Sequence, residues 1–124
     1  MSLTVQQTVP ILRIFDVTKA KEFYVDFLGF KIEWEHQFEG VSPVYMELTL
    51  AGCTLHLSEH HGDCCPGSTV FLRVKGLKEY HAGLIAKQYG YLRPGLEPTF
   101  HNSICMETID PFGNRLRFDE AAES

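Results

Sequence analysis

No apolar run in the chain approaches the roughly 20 residues that a membrane-crossing helix requires, and there is neither a CxxC pair nor a low-complexity tract. Positive charge is scarce as well: eleven Lys plus Arg stand against sixteen Asp plus Glu, a formal net charge of −5. That balance repels phosphate backbones and anionic lipid heads, so neither nucleic acid nor a membrane surface is expected as a partner. Met1 to Gln7 lacks the basic-then-apolar layout of an export signal, which makes a cytoplasmic protein the expectation. Cys53, Cys64, Cys65 and Cys105 are accordingly expected as reduced thiols. Cys64 and Cys65 are adjacent, so a bridge between them would be strained.

What is present is ordinary globular composition, 44% hydrophobic and 22% charged, over 124 residues, one domain's worth of chain. Ala20, Phe23, Tyr24, Phe27 and Leu28 recur at helical spacing behind Asp16 or Thr18 as N-cap, with Gly29 as the stop. Leu77, Tyr80, Leu84 and Ile85, with Tyr89 beyond, repeat the pattern after Gly76 and run to Gly90. Strands are expected over 9–15, 30–38, 44–50, 54–58, 69–74, 91–96, 104–109 and 115–118, giving βαβββ twice. The duplication returns the same punctuation at one offset: Gly29 and Gly90 lie 61 apart, and so do Gly52 and Gly113. A single domain over 1–124 follows, with module one at 5–60 and module two at 67–120.

The fold class expected is α+β: two tandem βαβββ modules forming a curved mixed sheet around a central cavity, with the helices outside. Alternation along the last strand of each module places Leu55, Leu57, Leu116 and Phe118 under the helices. Thr54, His56, Ser58, Arg115 and Arg117 then face the trough. His56 and Arg117, 61 apart, are expected as pseudo-equivalents across it. Glu47 and Glu107 sit in strands from which either can reach the trough or the solvent. Strand 102–109 has no clean alternation, which leaves the facing of Cys105, Met106 and Glu107 open. His60, His61, Cys64 and Cys65, with Asp63 among them, have soft-metal ligand types, yet no second segment supplies paired ligands, so a loop is expected there. Cys105 with His101 as its base would need an electropositive setting to act as a nucleophile. His81 reads as a surface histidine.

The stretch Val9–Val17, the run Glu22-Phe23-Tyr24-Val25-Asp26-Phe27-Leu28-Gly29-Phe30 and the turn Asp110-Pro111-Phe112-Gly113-Asn114 together resemble the vicinal oxygen chelate superfamily. That superfamily holds glyoxalase I, extradiol dioxygenases, fosfomycin resistance enzymes and bleomycin resistance proteins. The family's metal-ligand positions fall here on Val9 (or Thr8), His56, Thr69 and Arg117. Of these only His56 can ligate a divalent ion, and a guanidinium repels one. The resemblance is therefore closest to the metal-free bleomycin resistance branch, which implies no cofactor and no covalent chemistry. It implies a homodimer, swapped or unswapped, that sequesters a small organic ligand such as a cationic glycopeptide antibiotic. Trp34 and Phe38 match positions where those proteins stack aromatics on flat rings, and Phe100 lies near a third; Glu47, His56 and Arg117 complete the expected ligand-binding set. Pro10 fits either an arm reaching the partner or an edge-strand proline. The alternative is an enzyme of the same superfamily, a lyase, isomerase or dioxygenase-like protein with a degenerate metal site, using Glu47, His56 or Cys105.

Overall fold

A computed structural model describes residues 2–37 and 43–122. The first module runs β1 (Ile11–Arg13), α1 (Val17–Lys21) continued by a π-helical turn (Glu22–Phe27), β2 (Lys31–Gln37), β3 (Val44–Leu50) and β4 (Cys53–Ser58). The second runs β5 (Thr69–Arg73), α2 (Leu77–Ala86), β6 (Glu97–Pro98), β7 (Ser103–Ile109) and β8 (Arg115–Ala121). Each folds into a four-stranded mixed sheet of the same order, β1-β4-β3-β2 and β5-β8-β7-β6. In both, the first strand lies parallel to the last and the others are antiparallel. The doubled α+β architecture is thus as the sequence predicts. Among the described residues no helix is long and apolar enough to cross a membrane.

Asp16 caps α1 by accepting from the Lys19 amide at 2.9 Å. The helix then widens, and the Leu28 amide donates to the Phe23 carbonyl five residues back. That wider turn brings Phe23, Tyr24 and Phe27 into the core together. Gly29 follows at φ +93, where a side chain would be strained. The duplicated glycine does not repeat this conformation. Helix α2 ends at Ala86, and Gln88, at φ 53, takes the left-handed position in place of Gly90. Gly52 and Gly113, by contrast, are true equivalents at φ +91 and +90 in the two hairpin turns. The strand expected over 91–96 is irregular, and only Glu97–Pro98 pairs. Pro94 and Pro98 bring no amide donor to a ladder. The Pro94 carbonyl instead accepts from His81 Nε2 at 2.8 Å, so His81 ties this segment to α2 and is not a plain surface residue.

One continuous core serves both modules. Leu12, Met46, Leu48, Leu55 and Leu57 from the first sheet join Leu84, Met106, Leu116 and Phe118 from the second half. Helix-side alternation in β4 and β8 is as expected. A buried polar knot ties the halves together. The Tyr24 hydroxyl donates to Asp110 Oδ2 at 2.6 Å, across 86 residues of sequence. Asp110 also accepts from the Phe112 and Asn114 amides and from Asn114 Nδ2. Asn114 Nδ2 donates in addition to the Arg13 carbonyl at the end of β1. Tyr80 donates to the Leu28 carbonyl, and Lys87 Nζ to the carbonyls of Asp26 and Phe27, fastening α2 to the first helix.

Two stability predictions follow from this packing. Tyr24→Phe removes one donor from a buried carboxylate and should cost about 1.5 kcal/mol, while Asp110→Ala takes the acceptor away from all four donors and should cost about 3 kcal/mol or more. Urea midpoints of the two variants measure the difference; equal midpoints to the parent chain would disprove the role of the knot. Burial holds the Tyr24 and Tyr80 phenols above the ordinary tyrosine range and pushes the Cys53 thiol up too. The unfolded chain ionises these groups first, so their contribution is complete below about pH 8 and declines as pH rises past about 9 to 10. Denaturation midpoints should therefore fall between pH 8 and pH 11.

Candidate functional site

Each sheet buries one face in the core and leaves the other open. On the first sheet, register sets Trp34 of β2 opposite Glu47 of β3, and Glu47 opposite His56 of β4. These three share the open face with Tyr45. A bulge between Ile32 and Trp34 reverses the local facing, so that Ile32 packs with the core and Trp34, two residues on, turns outward. Trp34 is 43% exposed. Its ring lies nearly parallel to that of Tyr45, with centroids 5.9 Å apart and planes at 11°. His56 meets both rings edge-on, at 5.5 and 5.2 Å.

His56 is held at both nitrogens: Nε2 lies 3.0 Å from Glu47 Oε1, and Nδ1 lies 2.7 Å from the Tyr45 hydroxyl. A carboxylate only accepts, so the neutral ring carries its hydrogen on Nε2 and accepts from Tyr45 at Nδ1. Burial first, then the nearby Asp63, Cys64 and Glu47, raise the Tyr45 phenol above its ordinary range. Asp63 reaches the site on the loop after β4, where it accepts from the buried Ser58 hydroxyl at 2.6 Å. Tyr45 was not among the expected residues, although its place two residues before Glu47 in a strand put it on the same face.

The second sheet repeats the scheme. Arg117 stands opposite Glu107, as His56 stands opposite Glu47. Glu107 Oε1 lies 3.4 Å from Arg115 Nε and 3.5 Å from Arg117 Nε. Cys105 and Glu107 share this open face while Met106 is fully buried, which resolves the facing of β7. Burial above all, together with Asp119, pushes the Cys105 thiol up, opposite to what a nucleophile requires. Phe100 is 99% exposed in the turn before β7 and edge-on to His101. Phe38 lies outside the described residues.

The donor set does not fit a catalytic divalent ion. Both His56 nitrogens are engaged, and the equivalent position carries a guanidinium. Among the described residues no three His, Cys, Asp or Glu side chains are gathered as metal ligands, including those of the 60–65 loop. The hollows of the chain lie at the second sheet, whose open-face Phe71 lines two of them. A cleft of about 560 Å³ is lined by Phe30, Leu50, Phe71, Tyr80 and Phe118, and one of about 790 Å³ by Arg73, Lys75, His101 and Asp119.

The family model described as glyoxalase superfamily protein matches residues 1–124. The chain belongs to the glyoxalase superfamily. No curated protein matches the sequence. Among solved structures, a protein from Bacillus anthracis described as of the glyoxalase family is 17% identical, covers 98% of this chain and 100% of its own, and superposes with a TM-score of 0.73. A bleomycin-binding protein complexed with bleomycin is 23% identical over 95% of this chain and 100% of its own, with a TM-score of 0.70. A bleomycin resistance determinant encoded on transposon Tn5 is 21% identical over 96% and 100%, with a TM-score of 0.71. At these identities the likeness is one of fold.

The thiols of this superfamily member should differ sharply in reactivity. Cys65 is exposed, whereas Cys53, Cys64 and Cys105 are partly covered and held protonated. Iodoacetamide at pH 7.5, read by peptide mass spectrometry, should label Cys65 first. Faster labelling at Cys105 would show that the open face activates that thiol.

Proposed function

We propose that this protein is a metal-independent binding protein that sequesters a flat, cationic organic ligand, of the kind represented by bleomycin-type glycopeptides. The observation that carries the reading is the exposed Trp34–Tyr45 ring pair with the Glu47 carboxylate at its edge. A stacked indole offers contact area to any flat ring without a polar match, and the carboxylate favours a cation beside it. The net charge of −5 adds long-range attraction for such a ligand. The bleomycin-binding protein and the bleomycin resistance determinant among the fold neighbours support the same class.

A single chain offers the platform as one wall. Ile11, Trp34 and Phe71 stand on the two open faces with 37%, 43% and 47% of their surface exposed. A homodimer would set the first sheet of one copy against the second sheet of the other. The ligand would then meet Trp34, Glu47 and His56 on one wall, and Arg117 and Phe100 on the opposite one. Phe38 belongs with the first wall on sequence grounds.

Because Trp34 is the sole tryptophan, its fluorescence reports directly on the platform. Metal-free bleomycin should quench it and release or absorb heat in calorimetry at one ligand per chain. Trp34→Ala should weaken binding about ten-fold or more, in line with ~1.5 kcal/mol for an aromatic contact. Glu47→Gln should weaken it by a smaller, salt-sensitive factor. Absence of both heat and quenching at micromolar protein would exclude this ligand class.

A further inference from the structure

We infer that Tyr45, His56 and Glu47 form a proton relay, giving the aromatic face an acid–base activity toward a flat aromatic substrate with an acidic C–H bond. The inference rests on the seat proposed above and adds chemistry to it. The three groups stand in line on adjacent strands: hydroxyl to Nδ1 at 2.7 Å, Nε2 to carboxylate at 3.0 Å. A hydroxyl touching an imidazole whose far nitrogen is held by a carboxylate is the arrangement by which an enzyme readies a proton acceptor. Ligand binding alone does not call for it, since an unlinked Tyr and Glu would stack and attract equally well. The backbone ladder fixes the geometry, because Glu47 and His56 are paired residues and Tyr45 lies two residues along the same strand. The groups facing His56 are few. Glu47 and Tyr45 come from β3, Trp34 and the titratable His36 from β2, Ile11 and the cationic Arg13 from β1, and Asp63 and Cys64 act on Tyr45 from the loop.

The step balances without a metal or redox partner. A substrate C–H bond breaks heterolytically and its proton passes to the Tyr45 oxygen. The Tyr45 hydroxyl proton moves at the same time to His56 Nδ1. The imidazolium so formed keeps its Nε2 hydrogen toward Glu47, whose charge offsets it. The electron pair left on carbon expels a leaving group or shifts along a conjugated system. The proton later returns from His56 through Tyr45 to the product or to water. Tyr45 is the catalytic residue in this scheme; His56 and Glu47 act through it.

The probe is 5-nitrobenzisoxazole, a flat neutral ring system in which removal of the ring C–H breaks the N–O bond and releases a coloured cyanophenolate. The full-length protein should open it about 100-fold faster than free imidazole at equal concentration, within the range of positioned general bases. Tyr45→Phe and His56→Gln should each lose most of that acceleration, and Glu47→Gln should lower kcat several-fold with KM nearly unchanged, which a merely structural role would not do. The indole N–H resonance of Trp34 reports seating of the probe independently and checks that each variant remains folded. A shifted resonance with no acceleration, or full activity in Tyr45→Phe or His56→Gln, overturns the relay and leaves the seat standing. Neither shift nor acceleration overturns both.

Discussion

The carboxylate of Asp110 is the constraint on which the rest of the chain depends. It is 1% exposed and accepts from four donors, two within its own turn, one on the Asn114 side chain and one on Tyr24 in the other module. A buried carboxylate is tolerable only when its lone pairs are met this completely. Asn114 spreads the same network further, donating to Arg13 and accepting from the amides of Gly67 and Ser68. The end of β1, the first helix, the inter-module segment and the last hairpin are thereby set in one position. Two sequence motifs that each read as local punctuation, the Phe-Tyr helix and the Asp-Pro-Phe-Gly-Asn turn, are the two halves of one contact.

With the modules locked together through their helix-side faces, the open faces become the place for chemistry. The duplication then controls what chemistry each carries. Strand register gives both sheets an acid on the third strand beside a cation or imidazole on the fourth, Glu47 with His56 and Glu107 with Arg117. Duplicated metal sites of this geometry would need ligating groups on both sheets. Here one copy has an imidazole already saturated by hydrogen bonds, and the other a guanidinium. The two faces have diverged in another respect. The first gained Trp34 and Tyr45, whereas the second carries Phe71, Cys105 and a pair of arginines sharing one carboxylate.

Much of this was legible in the sequence because it depends on periodicity. The βαβββ order, the helix-facing leucines of β4 and β8, and the outward placement of His56 and Arg117 follow from alternation and turn residues alone. What escaped had non-periodic causes. The bulge before Trp34 and the π-helical widening after Lys21 each shift facing by a residue without altering composition. Gln88 occupies a left-handed position that glycine at 90 was expected to hold. Strand β7 lacked a readable alternation because Thr108 is buried beside Met106 and bonds the Leu116 carbonyl, so a polar residue sits where an apolar one was sought. Tyr45 carries no signal of its own in the sequence, because its role exists only in the company of Trp34 and His56.

The pairing of charges on the open faces also decides what kind of force can hold a ligand there. Glu107 is shared between two arginines, and Glu47 is engaged by His56, so neither carboxylate is a bare charge waiting for a counter-ion. The exposed Glu107 pairs contribute about 0 to 1 kcal/mol each, and at either carboxylate a ligand cation must compete with the existing partner. Apolar contact is under no such competition. Covering the exposed part of an indole and the phenol stacked on it removes water from area that has no other partner, at roughly 25 cal/mol per Å². Charge on this molecule therefore draws and orients a ligand, whereas the Trp34 platform supplies the affinity, and a flat molecule without charge should be held nearly as well as a cationic one of the same shape.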